Sequence, residues 1–202
     1  MARGASGRRS QYREGARITV ITPASPIIGV DVDGVLADYR TVHTQMIADG
    51  KTPYLEIKDD PNFWLTLKPY RETAECLKRL RAQTQPVYFI SSRYGISPQE
   101  QTALWLQDNG HDCPSVIITS QPRNDSDRKR AMGDKDKAFI ARAMGIDAMI
   151  DDSPAVFKSF ALSHPSCCFF LVDQPWNQDV KMRKSMQMRV RDIGEALDKL
   201  GV

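Results

Sequence analysis

The 202-residue chain lacks the features that mark several protein classes. It contains no apolar run of about 18 residues, which excludes a spanning helix, and its first residues lack the apolar stretch of a secretory signal. Cysteine is scarce: Cys76, Cys113, Cys167 and Cys168 show no C-x-x-C spacing and fall short of the density of a disulfide framework. Structural zinc and an oxidising compartment are therefore not expected, and reduced thiols in a cytoplasmic chain are. The three histidines, His43, His111 and His164, have no metal-ligand spacing and no nucleophile beside them, so they read as surface or core residues. No internal repeat is present.

Charge of one sign is also missing from most of the chain. The formal net charge is +3, but Arg3, Arg8, Arg9, Arg13 and Arg17 against Glu14 give residues 1–17 a local +4, which leaves −1 for everything after them. A near-neutral body with a short basic arm is not a globally basic nucleic-acid binder. The arm is rich in Gly, Ser and Arg and poor in apolar residues, so it reads as disordered. A second basic stretch, Arg123, Arg128, Lys129 and Arg130, overlaps a charged, Gly-containing loop over 124–136. It reads as a solvated loop, with contact to phosphate or a polynucleotide as the sharper alternative for both segments.

What is present is alternation. Short apolar runs at 27–32, 86–91, 115–119, 148–150 and 167–172 predict strands; amphipathic stretches at 72–82 (apolar at Ala74, Leu77 and Leu80), 98–109 and 137–144 predict helices. That order is what a parallel sheet with crossover helices requires, giving a three-layer α/β domain over 18–202 with a central, mostly parallel sheet. Residues 39–70 interrupt the pattern with a helix near 42–48, a Gly50/Pro53 break and the aromatic pair Phe63-Trp64, and read as a small helical insertion after the first strand. Residues 179–200 read as a C-terminal helix, with Met182, Met186 and Met188 as packing residues.

In an open parallel sheet, ligands bind beyond the carboxyl ends of the strands. Here the first strand closes on Asp31-Val32-Asp33-Gly34, the second on Ser91-Ser92 and the fourth on Asp151-Asp152, with Lys135 and Lys137 at the start of the preceding helix. Carboxylates gathered at one rim repel by roughly 1–4 kcal/mol per close pair, so a cation belongs among them. Oxygen ligands without His or Cys favour Mg²⁺, which takes one or two carboxylates together with a substrate phosphate. Asp31 and Asp33, two apart on extended backbone, point the same way, and Gly34 lets the chain turn close to a ligand. One carboxylate can then attack phosphorus while the other handles the proton.

The segments DVDGVLAD (31–38), YFISS (88–92), a lysine before an amphipathic helix and IDDSP (150–154) resemble, in order and spacing, the four motifs of the haloacid dehalogenase superfamily. Within it, DGVLAD, Phe63-Trp64, IDDSP and Gln174-Pro175-Trp176-Asn177 are similar to the 5'(3')-deoxyribonucleotidase group, whose helical cap is longer than the insertion here. The resemblance implies a Rossmann-like domain acting as a Mg²⁺-dependent phosphatase. Asp31 would be the nucleophile that becomes an aspartyl-phosphate, and Asp33 the acid and then the base. Ser91, supported by Ser92, would donate to a phosphoryl oxygen. Lys137, or failing it Lys135, would pair with the nucleophile. Mg²⁺ would be held by Asp31, the backbone carbonyl of Asp33 and Asp152, with Asp151 orienting the set.

Taken singly, these residues have ordinary readings. An Asp at a strand end is usually a helix cap or turn residue, which remains the reading for Asp38, Ser153 and Asp151. Phe63 and Trp64 read as insertion core, with a stacking platform for a nucleobase as the alternative. The leading expectation is hydrolysis of a phosphorylated small molecule, a nucleoside monophosphate. The rivals are the same chemistry on a polynucleotide end and a non-catalytic phosphate-binding scaffold.

Overall fold

The structure is a computed structural model, and it describes residues 25–119, 133–182 and 185–202. The basic arm and the Arg123 to Arg130 stretch lie outside the described residues, as does the expectation of nucleic-acid contact that rests on them. In chain order the elements are β1 (Ile28–Val30), α1 (Tyr39–Ala48), α2 (Pro53–Lys58), a 3-10 turn (Phe63–Leu65), α3 (Thr73–Arg81), β2 (Val87–Ser91), α4 (Pro98–Asp108), β3 (Ser115–Ile118), α5 (Gly133–Ala143), β4 (Ala148–Asp151), α6 (Pro154–Ser163), β5 (Cys168–Val172), a second 3-10 turn (Pro175–Asn177), β6 (Gln187–Val190) and α7 (Ile193–Leu200).

The sheet order is β3-β2-β1-β4-β5-β6, with every neighbouring pair parallel. Strands covered on both faces need side chains that are apolar at successive positions, and β5 supplies them. Cys168, Phe170 and Val172 enter one core, while Cys167, Phe169 and Leu171 enter the other. The first core is closed by α3, α4 and α7 and the second by α5 and α6, which makes the three layers expected. Helix α3 buries Thr73, Cys76, Leu77 and Leu80, a spacing of three and four residues, and leaves Ala74 exposed.

Two expectations are corrected. Residues 179–200 are not one helix: Gln187–Val190 pairs with β5 as a sixth strand, and α7 starts only at Ile193, capped by Asp192, whose side chain accepts the Glu195 N–H. Met182, Met186 and Met188, expected to pack from that helix, precede α7: Met186 and Met188 pack on one core and Met182 on the other. The charged loop expected over 124–136 gives way at Gly133 to α5, a full turn ahead of Lys137. Helix α6, not anticipated, is started by Ser153, whose side chain accepts the N–H groups of Ala155 and Val156 ahead of Pro154 in the first turn.

The insertion is stapled shut at its neck. Asp38 N–H donates to Lys68 O and Tyr70 N–H to Leu36 O, and an antiparallel bridge joins Ala37 to Pro69. The insertion also leans on α4: Trp64 N–H donates to Gln101 Oε1 at 3.0 Å, and the Trp105 indole donates to Leu67 O at 2.8 Å. Phe63 and Trp64 are buried core residues.

Candidate active site

The chain turns from one half of the sheet to the other between β1 and β4, so their carboxyl ends diverge into a crevice. Asp31 continues the ladder of β1, its N–H bonded to Ile150 O at 2.9 Å, and Asp151 and Asp152 close β4 beside it. Carboxylate oxygens of Asp31, Asp151 and Asp152 all lie within 4.8 Å of one another. Lys137, buried on α5, places Nζ 2.8 Å from Asp31 Oδ1 and 2.9 Å from Asp151 Oδ2. Asp31 Oδ1 also accepts the N–H of Val32, at 2.7 Å, and Asp151 Oδ1 accepts that of Ser153.

Three carboxylates against one ammonium leave two negative charges in a nearly solvent-free cluster. Burial pushes the Asp31 carboxyl well above the usual carboxylate range despite the pull of Lys137. Burial, followed by the charge of Asp31, pushes Asp152 up to about 7. Asp151 is pushed up by burial to about 6, with Lys137 pulling it back. Lys137 is itself pulled down by burial, but Asp151 and Asp31 outweigh that and raise it, so it stays protonated. A set of hard oxygen donors carrying two excess negative charges fits a divalent cation of the Mg²⁺ type.

Asp33 stands apart from this cluster. Its carboxylate faces Arg93, whose Nη2 lies 2.9 Å from Oδ1 and whose Nε lies 3.0 Å from Oδ2. Arg93 is 1% exposed; its Nη1 donates to Thr102 Oγ1, and its guanidinium carbon sits 4.9 Å from the centroid of Trp64 and 5.7 Å from that of Trp105. The guanidinium is thus clamped between two indoles while its planar fork grips one carboxylate. Nothing in the sequence reading had singled out Arg93. Its signal was weak: an arginine two residues past a strand end is usually solvated, and the fold alone brings together the Asp33 carboxylate, Thr102 and the two distant tryptophans that make a buried one tolerable.

A cavity of about 160 Å³ opens over the cluster, lined in part by Asp31, Asp33, Ser92, Lys137 and Asp152. Ser91 is fully buried behind it; its hydroxyl lies 3.4 Å from Asp33 Oδ2 on the donor side and accepts the N–H of Arg93. Ser92, bonded to Thr119 Oγ1 at 2.9 Å, is the hydroxyl residue of the pair that lines the cavity. Trp64 reaches the cavity edge but is 2% exposed and turns a face to Arg93, while Phe63 does not line it. Lys135 lies within α5, and its side chain falls outside the described residues. Asp38 caps α1 by accepting the Thr41 N–H.

Gly34 is required by the site. Its φ is +88°, in the left-handed region, and a Cβ there would meet Asp152 Oδ2 at 2.3 Å. The Asp33-Gly34 turn can therefore press against the Asp152 carboxylate only because this residue has no side chain.

No family model matches the chain, and no curated protein matches it. Solved structures do. The D,D-heptose bisphosphate phosphatase of B. bronchiseptica, complexed with magnesium and phosphate, superposes with a TM-score of 0.57 at 13% identity, over 87% of this chain and 97% of its own. A phosphoserine phosphatase in apo form gives 0.51 at 14% identity, covering 86% and 98%. A haloacid-dehalogenase-family hydrolase from Deinococcus radiodurans R1, with bound phosphate and sodium, gives 0.50 at 15% identity, covering 88% and 97%. At such identities the likeness is one of architecture, running the length of the domain: the chain has the haloacid-dehalogenase-like fold of these hydrolases.

Proposed function

We propose that the chain is a Mg²⁺-dependent phosphomonoesterase that works through an aspartyl-phosphate on Asp31, with nucleoside monophosphates as its substrates. The observation that carries this reading is the division of labour among the carboxylates: Asp31 stands in the cation-binding cluster against Lys137, while Asp33, two residues on, is held outside it by Arg93.

In the first step the Asp31 oxygen not held by Lys137 and Val32 attacks phosphorus. The bond to the leaving oxygen breaks, and Asp33 gives that oxygen a proton. In the second step Asp33 takes a proton from water, the water oxygen bonds to phosphorus, and the Asp31–phosphorus bond breaks to release phosphate. One residue serving as acid and then base follows from microscopic reversibility. Lys137 holds the nucleophile and contributes positive charge beside the transferring group, and Ser92 offers a hydroxyl at the cavity wall. Asp31, Asp152 and the backbone carbonyl of Asp33, with Asp151 behind them, would hold Mg²⁺, which would supply the remaining positive charge.

Support for the nucleotide comes from the likeness of DGVLAD, Phe63-Trp64, IDDSP and the 174–177 stretch to the deoxyribonucleotidases. A second reading, the same chemistry on a polynucleotide end, is favoured by the exposed Arg40 at the cavity rim and by the small cap. Phosphate release across mononucleotides, sugar phosphates and phosphorylated oligonucleotides separates them. Mononucleotide turnover in Mg²⁺ that vanishes in EDTA and in Asp31→Asn supports the nucleotidase. Preference for an oligonucleotide with steep salt dependence favours the second reading, and turnover of neither overturns both.

A further inference from the structure

The stretch Gln174-Pro175-Trp176-Asn177 has no part in the chemistry above, yet it grips the site at three points. The Trp176 indole N–H donates to Asp152 Oδ2 at 2.8 Å. Asn177 Nδ2 donates to the backbone oxygen of the same Asp152 at 2.9 Å and to Val172 O at 2.7 Å. Gln174 Nε2 donates to Gly34 O at 2.8 Å. One four-residue turn thus holds the end of β4 and the turn after β1, the two halves that must meet for Asp31 and Asp152 to share an ion.

The turn is itself braced. Gln174 N–H donates to Asn177 Oδ1 in a reciprocal cap, and Arg189 of β6 donates to Asn177 Oδ1 at 2.7 Å, to Asn177 O at 2.9 Å and to Asp173 Oδ1 at 2.6 Å. The sixth strand therefore anchors the turn, while the outer face of Trp176 carries Arg40, whose guanidinium carbon lies 4.7 Å from the ring centroid. Arg40 in turn lines the cavity.

We infer that Trp176 is a positioning residue for the divalent cation: its indole N–H fixes one oxygen of Asp152, trapped between Gly34 and the indole, so that the carboxylate stays aimed at Asp31. A carboxylate free to rotate loses part of its affinity for an ion, and removing such an outer partner typically weakens metal binding about 10–100-fold. Trp176→Phe deletes the donor while keeping a ring under Arg40. Trp176 touches no reacting atom, so the effect belongs to the ion. This inference rests on the proposed Mg²⁺ site, and the experiment separates the two.

Isothermal titration of the full chain with MgCl₂, without substrate, measures the parent and Trp176→Phe side by side. We expect Mg²⁺ binding in the variant to be at least about 10-fold weaker. The Mg²⁺ concentration for half-maximal turnover should rise in parallel, and added Mg²⁺ should recover the rate, which a merely structural lesion would not allow. Gln174→Leu, which releases Gly34 O but leaves the indole bond, should weaken binding less. Equal Mg²⁺ affinity in parent and Trp176→Phe overturns the inference. Parent protein that binds no Mg²⁺ overturns it together with the proposed metal site, whereas parent protein that binds Mg²⁺ but hydrolyses no phosphomonoester overturns the enzymatic reading alone.

Discussion

Arg93→Lys is the most demanding test of how the site is built. The charge is conserved, so a long-range electrostatic role would survive; the planar fork is not. The arginine makes three N–H contacts to Asp33, of 2.9, 3.0 and 3.2 Å, and a fourth to Thr102, from a position that is 1% exposed between two indoles. A lysine can replace one of the contacts to Asp33 and cannot reach Thr102 at the same time. Charge-assisted hydrogen bonds contribute about 1.5–3 kcal/mol each, and water entering beside the half-buried Asp33 offsets part of the loss, so the change should cost about 3 kcal/mol. For a domain of this size that is a drop of roughly 6–12 °C in Tm. Turnover should fall by about 10–100-fold, because an Asp33 that is no longer held in one orientation meets the leaving oxygen less often. Thermal denaturation followed by circular dichroism and phosphate release from a generic phosphomonoester measure the two effects. Parent-like Tm together with parent-like turnover would refute the argument that the guanidinium fork, and not simply its charge, fixes Asp33.

Two further predictions follow from the charge count of the cluster. Lys137→Ala leaves Asp31 and Asp151 buried without their ammonium and should cost about 3–5 kcal/mol with loss of turnover, whereas Lys135→Ala should retain both; the reverse pattern, read from urea denaturation and phosphate release, would transfer the role to Lys135. In metal-free protein Asp151 and Asp152 are raised to about 6 and about 7, so between the ordinary carboxylate range and those values the folded chain holds protons that the unfolded chain has released. Stability conferred by that protonation is complete below the ordinary carboxylate range and is lost progressively as pH rises from there to about 7, so the metal-free Tm should decline across this window and Mg²⁺ should reverse the decline. A metal-free Tm that climbs over the same interval contradicts the crowding of charge described here.

The central strands were readable because each carries its own signal. Residues 148–150 and 167–172 are apolar at successive positions, which only burial on both faces explains, and each is followed by residues unsuited to a core. The sixth strand was not readable: Gln187–Val190 is half-buried at its first three positions, and its Met and Arg spacing serves a helix equally well. It is a strand because β5 leaves an edge to pair with. The same limit applies to side chains. Asp31, Asp152 and Lys137 could be named from their places at strand and helix ends. Arg93 and Trp176 could not, because each owes its role to a partner 60 and 24 residues away in the chain, respectively.

The order of apolar runs and the acidic residues that close them determined the layered α/β architecture and the rim at which chemistry would occur, since both follow from periodicity and from the polarity of strand ends. The tertiary structure alone decided which carboxylates share the cation cluster and which one is withheld from it. Asp31 and Asp33 are equivalent as letters, and they differ only because Lys137 from α5 meets one and Arg93, clamped by tryptophans from the insertion and α4, meets the other.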